Sequence, residues 1–391
     1  MADKSRRPWQ RRRDLAPAQP ATFHGGWTMT LRKLAFGMAF LTTPAFADDP
    51  PICPKDAEPV VSLGFGSRYA ADSASRSDFD EESDKAVTAA LKPIDTFIAD
   101  LSRQTDLLND PETKPDIALA AATCVQESIL AWAEADALSD LKTQGANLSA
   151  PSRVGGIAFA YAAAKALLPD AEGNAEIESW LLARARQAMT FFDEDAPPRA
   201  SQNNLRAWAG LAVTRIGLTL DDPALMDWGN ATARLVACTA AEDGSLPNEM
   251  WRDGLALHYQ LHAIAPLVTT AALLEDQRPG VFEACNGAIR RAVTFTISGL
   301  IDPAPVEELT GKRQSVGGPD HPPRDFELAW VPAYLRYNPD DAISDYVKDI
   351  KLFGNSKLGG NQTLLWPDAE DSATDTTSGS ELPDDKDKVS N

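Results

Sequence analysis

The chain has 391 residues, enough for one large domain or two ordinary ones. Its apolar content of 43% suits a globular protein with a sizeable core, and its wealth of Ala and Leu favours helix. The formal net charge of −20 argues against nucleic acid as a partner, and its field repels a polyanion unless a locally basic cleft overcomes it.

Residues 1–28 are basic. Residues 30–47 read as a signal peptide: Arg32 and Lys33 form a positive start, Leu34 to Leu41 a short apolar run, and Ala45-Phe46-Ala47 a small-residue cleavage site. The apolar run is too short to span a bilayer as a helix. The mature chain is therefore expected to begin at Asp48, in the periplasm or outside the cell, with no stable membrane insertion after cleavage. Met29 is the expected true start. Removing residues 1–47 leaves 29 basic against 55 acidic side chains, which makes the mature chain more acidic still.

Residues 48–80 carry Pro50, Pro51, Pro54 and Pro59 and read as irregular. Within them SRYAADSASRSDFD (67–80) holds Arg68, Tyr69 and Arg76. Taken alone, it reads as a solvated surface loop. Residues 83–108 look helical but interrupted at Pro93. The next helix starts at Pro115 and repeats Ile117, Ala121, Cys124, Val125, Ile129 and Trp132 at helical spacing. Residues 150–168 are apolar nearly all round, as a buried helix would be. Residues 174–192 form a helix capped by Asn174.

From Ser201 to Leu267 three helices are expected, at about 203–218, 222–240 and 250–274. Asp222 and Pro223 start the middle one well. Asn203 and Asn204 stand at the first N-terminus, where backbone N–H groups favour an anion. On the third, Arg252 and Tyr259 are seven residues apart. At about 100° per residue they share a face, with Leu255 and His262 extending the stripe. His258 points about 100° away. Beyond this stretch, 281–300 is helical, 303–325 a loop, 326–337 an apolar helix with Trp330 and Tyr334, and 341–353 a further helix. NSKLGG (355–360) carries Lys357. Residues 367–391 are acidic without apolar periodicity and read as disordered.

An Arg, an amide and a Tyr suit removal of a proton beside a carboxylate: the first two neutralise it and the Tyr moves the proton. Taken singly, each has a plainer reading. Asn203 and Asn204 could cap a helix, Arg252 could lie on the surface, and Tyr259 could be core. Trp208 reads as core; Trp251 and Trp330 could stack sugars or fill core.

The set of motifs resembles the alginate lyase family, polysaccharide lyase family five. The matching features are NN with Trp208, the Asp227–Trp228 pair, LPNE with Arg252 and Tyr259, the APL ending, WAEADALS, the segment around Trp330 and Tyr334, and NSKLGG. The family has His directly after the second Asn; here Leu205 stands there. The resemblance covers nearly all of 53–366. The succession of helices with no convincing strand alone points to an all-α, single-domain fold; the resemblance implies an (α/α) barrel or toroid of antiparallel helical hairpins, over 48–366.

The resemblance further implies metal-independent β-elimination on a uronate polymer, alginate or polymannuronate-like. Tyr259 serves as base and acid, and Asn204 and Arg252 neutralise the carboxylate. Arg68, Tyr69 and Arg76 become substrate contacts on a lid, with Asn203 and His262 as further binding residues. His262 is a candidate to compensate for Leu205. The family joins an N-terminal Cys-Pro region to the helix of Cys124, which implies a Cys53–Cys124 bridge; Cys124 as a small core residue is the alternative. None of the four cysteines forms a CxxC, so no metal site is expected, and no cofactor. The expected partner is an anionic polysaccharide and the expected state a monomer. Leu205 keeps a second reading open, a lyase-like protein that binds polysaccharide with little turnover. A helical scaffold with no sugar role is a third.

Overall fold

Helix follows helix along this chain, joined by short turns, so that neighbouring helices run antiparallel. The computed structural model describes residues 53–54 and 57–367. The basic extension, the signal segment, the start at Asp48 and the acidic tail beyond Pro367 lie outside the described residues. Among the described residues no helix is long and apolar enough to cross a membrane.

The helices are α1 (Glu81–Asn109), α2 (Pro115–Glu134), α3 (Gln144–Leu167), α4 (Asn174–Thr190), α5 (Asn204–Leu220), α6 (Pro223–Ala237), α7 (Pro247–Met250), α8 (Ala256–Leu274), α9 (Ala284–Ile301), α10 (Ala304–Thr310), α11 (Val331–Tyr337), α12 (Asp341–Val347) and α13 (Gln362–Leu365). Four two-residue strands add little: β1 (Ser62–Leu63) pairs in parallel with β2 (Asp140–Leu141), and β3 (Gly354–Asn355) pairs antiparallel with β4 (Gly360–Asn361).

The packing order makes the ring. α1 lies on α3, α3 on α5, α5 on α8, and α8 on α11. Outside them, α2 covers α1 and α3, α4 covers α5, α6 covers α5 and α8, and α9 covers α8. The chain end closes the circle, because β4 and the 3₁₀ turn Ser356–Leu358 return to α1 and α3. This is the (α/α) toroid. Inner helices are enclosed on most sides, which explains why α3 and α8 are apolar nearly all round. Two cores form, one within α1–α4 and one within α6, α8, α9 and α11. They meet at α5, which gives Val213 and Ile216 to the first and Trp208 and Leu211 to the second. Close crossing of α5 and α6 needs Gly229, where a Cβ would fall 1.9 Å from Thr214 Oγ1.

Several local expectations are corrected. α1 runs unbroken through Pro93. Burial of Leu91, Ile94, Phe97, Ile98 and Leu101 outweighs the roughly 3 kcal/mol that an internal Pro costs. The cap of α4 is Gly173 at φ 90°; Asn174 instead donates to the carbonyls of Leu168 and Pro169. The 303–325 loop contains α10, and the helix expected over 341–353 stops at Val347. α9 opens through left-handed residues at Cys285, Asn286 and Gly287.

The largest correction concerns 250–274. The helix is broken: α7 ends at Met250, Asp253 turns at φ 50°, and α8 begins only at Ala256. The reason is tertiary. Gln314 Oε1 accepts the Leu257 N–H at 2.9 Å and its Nε2 donates to the Asp253 carbonyl at 3.1 Å, so a distant loop caps the new helix start.

Both disulfides are formed. Cys53–Cys124 ties the N-terminal segment to α2 as the resemblance implies, and Cys238–Cys285 ties the end of α6 to α9.

Candidate active site

One mouth of the toroid opens into a cleft of two joined cavities, of about 730 and 360 Å³. They share Trp208, His258, His262, Arg324 and Lys357. The larger is lined by Arg68 and Arg76 from the 67–80 loop, Arg153 from α3, Arg199, Arg252, Arg324 and Lys357. Among the described residues no Asp or Glu lines it. The carboxylates that hold these cations stand outside the larger cavity, Asp95 and Glu327 on the wall of the smaller one. Asp84 holds Arg68 at 3.1 Å, Asp95 holds Arg153 through two 2.9 Å bonds, and Glu327 holds Arg324 at 2.8 Å. The acidic chain thus carries the locally basic cleft that a polyanion requires.

Arg252 and Tyr259 do meet, though not along one helix. The Arg252 guanidinium carbon lies 3.6 Å from the centre of the Tyr259 ring, brought there by the turn at Asp253. The expected reason was wrong and the juxtaposition right. Leu255 falls in a separate 3₁₀ turn, Asp253–Leu255, and stays outside the cavity lining. Asn204 joins from α5, almost fully buried. Its backbone N–H and its Nδ2 both donate to Glu249, at 2.8 and 2.9 Å, and its Oδ1 lies 3.1 Å from His262 Nδ1. Asn203 follows the plainer reading: it lines the cavity, but its Oδ1 caps α5 by accepting the Leu205 N–H at 3.0 Å.

The 67–80 stretch lies at the surface, with no buried residue, but it is ordered by its own contacts. Tyr69 and Phe79 pair across it with rings 5.2 Å apart. Ser73 Oγ accepts the N–H groups of Ser77 and Asp78. This self-bonded flap rests on the site. The Tyr69 and Tyr259 hydroxyls are hydrogen-bonded to each other. Arg252 Nη2 donates to Tyr69 Oη and to the Arg76 carbonyl, both at 2.8 Å. The flap thus occupies the polar groups of both Arg252 and Tyr259.

Leu205 lines the cavity beside Asn204 and offers no polar atom from its side chain. His262 faces the cavity; Trp208 Nε1 lies 3.0 Å from its Nδ1, a bond made when that nitrogen is bare. Its ring touches an internal cleft rather than bulk water, so burial, followed by His258, Lys357, Arg153 and Arg252, holds its pKa well below the usual value. Burial raises the Tyr259 phenol, and Arg252 opposes this. Burial, then Arg153, pulls Lys357 down to about 8.

Sequence reasoning passed over three groups. His258, set aside as pointing away, lines both cavities and stands 3.6 Å from Glu327. Glu249 holds Asn204, and the LPNE motif was its only signal. Arg199 stacks 3.9 Å from the Trp251 ring on the cavity wall. Trp208 is core and cavity wall at once, while Trp330 is wholly core.

Residues 118–306 match the family model described as alginate lyase. A polysaccharide lyase of Stenotrophomonas maltophilia is 32% identical over 71% of this chain and 80% of its own length. An alginate lyase of Azotobacter vinelandii is 27% identical over 83% and 87%. The crystal structure of alginate lyase A1-III from Sphingomonas species A1 superposes with a TM-score of 0.59 at 21% identity, covering 80% of this chain and 86% of that one. A variant of A1-III complexed with a tetrasaccharide gives 0.63 at 22% over the same shares. Shared sequence over most of both chains, together with the shared toroid, places this protein in the alginate lyase family, as a polysaccharide lyase.

Proposed function

We propose that this polysaccharide lyase cleaves a uronate polymer of the alginate or polymannuronate kind by β-elimination at the Arg252–Tyr259–Asn204 cluster. The observation that carries the reading is the larger cavity of the cleft: seven cationic side chains line it, no carboxylate among the described residues does, and a Tyr lies under one of the cations.

The C5 proton of a uronate is weakly acidic because it adjoins a carboxylate. Arg252 and the free N–H of Asn204 Nδ2 take that carboxylate, which lowers the cost of the negative charge that spreads onto it. Tyr259 Oη, ionised beside Arg252 once the flap has moved, removes the C5 proton and becomes a phenol. The electron pair forms the C4–C5 double bond and expels the C4 oxygen, and the same phenol returns its proton to that oxygen. One group can serve both steps only when the C5 hydrogen and the C4 oxygen lie on one face, as in mannuronate. Burial keeps the phenol protonated while the flap rests on it, so Arg252 is the group that makes the base accessible.

Before any of this the lid must lift. Tyr69 occupies the Tyr259 hydroxyl, and Tyr69 with Arg76 occupies Arg252. A uronate carboxylate offers Arg252 a charged acceptor in place of two neutral ones, which favours the exchange. Arg68, Tyr69 and Arg76 then become contacts to the chain. Leu205 supports a second reading, a binder with little turnover, because it removes one donor from the neutralising set. The signal segment supports export to the periplasm.

The test mixes purified protein with polymannuronate, polyguluronate and glucuronan, and follows ultraviolet absorbance of the unsaturated product. Polymannuronate should respond most strongly. Silence with all three polymers while they still bind would replace the catalytic reading with the second.

A further inference from the structure

Glu249 takes no part in the elimination above, yet it is wholly buried behind it. Both carboxylate oxygens are aimed at one residue: Oε1 accepts the Asn204 backbone N–H and Oε2 accepts from Asn204 Nδ2. That clamp dictates what the other end of the amide does. Oδ1 lies 3.1 Å from His262 Nδ1, and Trp208 Nε1, which can only donate, lies 3.0 Å from the same nitrogen.

A ring nitrogen has one in-plane position. It accepts from Trp208 as a bare nitrogen, or donates to Asn204 Oδ1 as N–H, and cannot do both. With Glu249 ionised, Nδ2 must face Oε2, Oδ1 faces His262, and the paired form of the ring carries its hydrogen on Nδ1. With a proton on Oε2, the acid donates to Oδ1 and the amide turns over. Nδ2 then faces His262, Nδ1 is bare, and Nε2 carries the hydrogen.

We propose that Glu249 is a positioning residue whose proton sets the orientation of the Asn204 amide and, through it, the tautomer of His262. His262 lines the cavity, so the switch changes whether its Nε2 accepts or donates there, and it changes how Asn204 offers its free N–H to a substrate carboxylate. The effect on rate rests on the lyase reading; the effect on His262 does not.

The surrounding charges suit such a switch. Arg252, in the turn after α7, is the charged group that favours the carboxylate, and with Asn204 it opposes the burial that raises Glu249 to about 7. His262 is faced by His258 on its own helix and by Lys357, Arg153 and Arg252 from three other elements, all opposing a positive charge on it. It therefore stays neutral and changes tautomer instead of ionising.

The experiment is nitrogen-15 NMR of the full protein with labelled histidine, from pH 5 to 9. There are only four histidines, and His262 is assigned from the His262→Gln variant. The expected result is a neutral ring that passes from the Nε2–H to the Nδ1–H pattern with a midpoint near 7. In Glu249→Gln the side-chain oxygen keeps the backbone N–H and its NH₂ donates to Asn204 Oδ1, so the Nε2–H pattern should hold at every pH. A wild-type tautomer constant over the range, or one that still switches in Glu249→Gln, overturns the proposal. On a polymer the protein cleaves, kcat/KM should show a limb with the same midpoint in the wild type and lose that limb in Glu249→Gln; a retained limb counts against the proposal. If no polymer is cleaved, the lyase reading fails and the NMR result still decides. If Glu249→Gln does not fold, the wild-type titration decides.

Discussion

Leu205→His should make the enzyme faster. Leu205 stands in the first turn of α5, adjacent to Asn204, and its side chain faces the cavity. Its backbone N–H is already taken by Asn203 Oδ1, a bond that the substitution leaves alone. An imidazole there sits at a helix N-terminus, which disfavours its charged form. It therefore enters as a neutral N–H donor aimed into the space where the carboxylate is neutralised. A pre-organised donor of this kind is worth about 10²–10³ in rate when removed from an evolved site. Added to a site that His262 and Asn204 already organise, a gain of about 10- to 100-fold in kcat/KM is expected, or about 1.4–2.7 kcal/mol of transition-state stabilisation. The stability cost should stay near 1 kcal/mol, since Leu205 is only partly buried. The assay is initial rate of product absorbance on polymannuronate, with thermal melting as a control for folding. An unchanged or lower kcat/KM in a variant that melts normally would refute the placement of position 205 beside the substrate carboxylate.

Tyr259→Phe removes the atom that carries the proton and should lower kcat by about 10³-fold or more with a smaller change in KM, read in the same assay. Gly156→Ala drives a Cβ to 2.6 Å from the Ser356 carbonyl, which should cost about 1–3 kcal/mol by denaturant titration and raise KM through the displaced Lys357 turn. Cys124→Ser opens a loop closed across 71 residues and should lower stability by about 4 kcal/mol in the chain-entropy account, measured in urea. Glu249 is raised from 4.5 to about 7 on folding, so between those values the native state binds more protons than the unfolded chain. Its contribution to stability therefore falls as pH rises through that window, and Glu249→Gln should flatten the decline in melting temperature from pH 5 to 8.

The all-α character was legible in the run of helical stretches, and so was the burial of α3, because a stretch apolar on all sides has to be enclosed; the toroid came from the resemblance to the family. The cluster was legible through motif, while its mechanics were not. Periodicity put Arg252 and Tyr259 on one helix face; in the fold they stack because Asp253 breaks the helix and Gln314, some sixty residues on, caps the restart. No local pattern announces a cap supplied from so far away. His258 was passed over for the same cause. Angles on a helical wheel say which way a side chain leaves its helix, but only the packing of α8 and the 3₁₀ turn around Glu327 says that a cavity lies there. Glu249 was invisible as a positioning group because a buried carboxylate is recognised by its partners, and both of its bonds go to a residue 45 positions away.

The charge of the chain and the charge of its cleft pull in opposite directions, and distance decides between them. At physiological ionic strength a charge is felt over about 8 Å, so carboxylates spread over the outside are largely screened from a polymer already lying in the groove. The cations that line the groove are close and partly desolvated, where the same Coulomb law gives larger energies. They would repel one another if left alone. Asp84, Asp95 and Glu327 prevent this from the side, each bonded to one Arg and each absent from the lining of the larger cavity, with Asp95 and Glu327 on the wall of the smaller one. The acidic residues near the site thus oppose binding very little; they hold the guanidinium groups in place so that the face turned inward is positive. Net charge describes the encounter at long range, and the lining of the cleft describes recognition at contact. For this chain the second quantity is the one that bears on a uronate polymer.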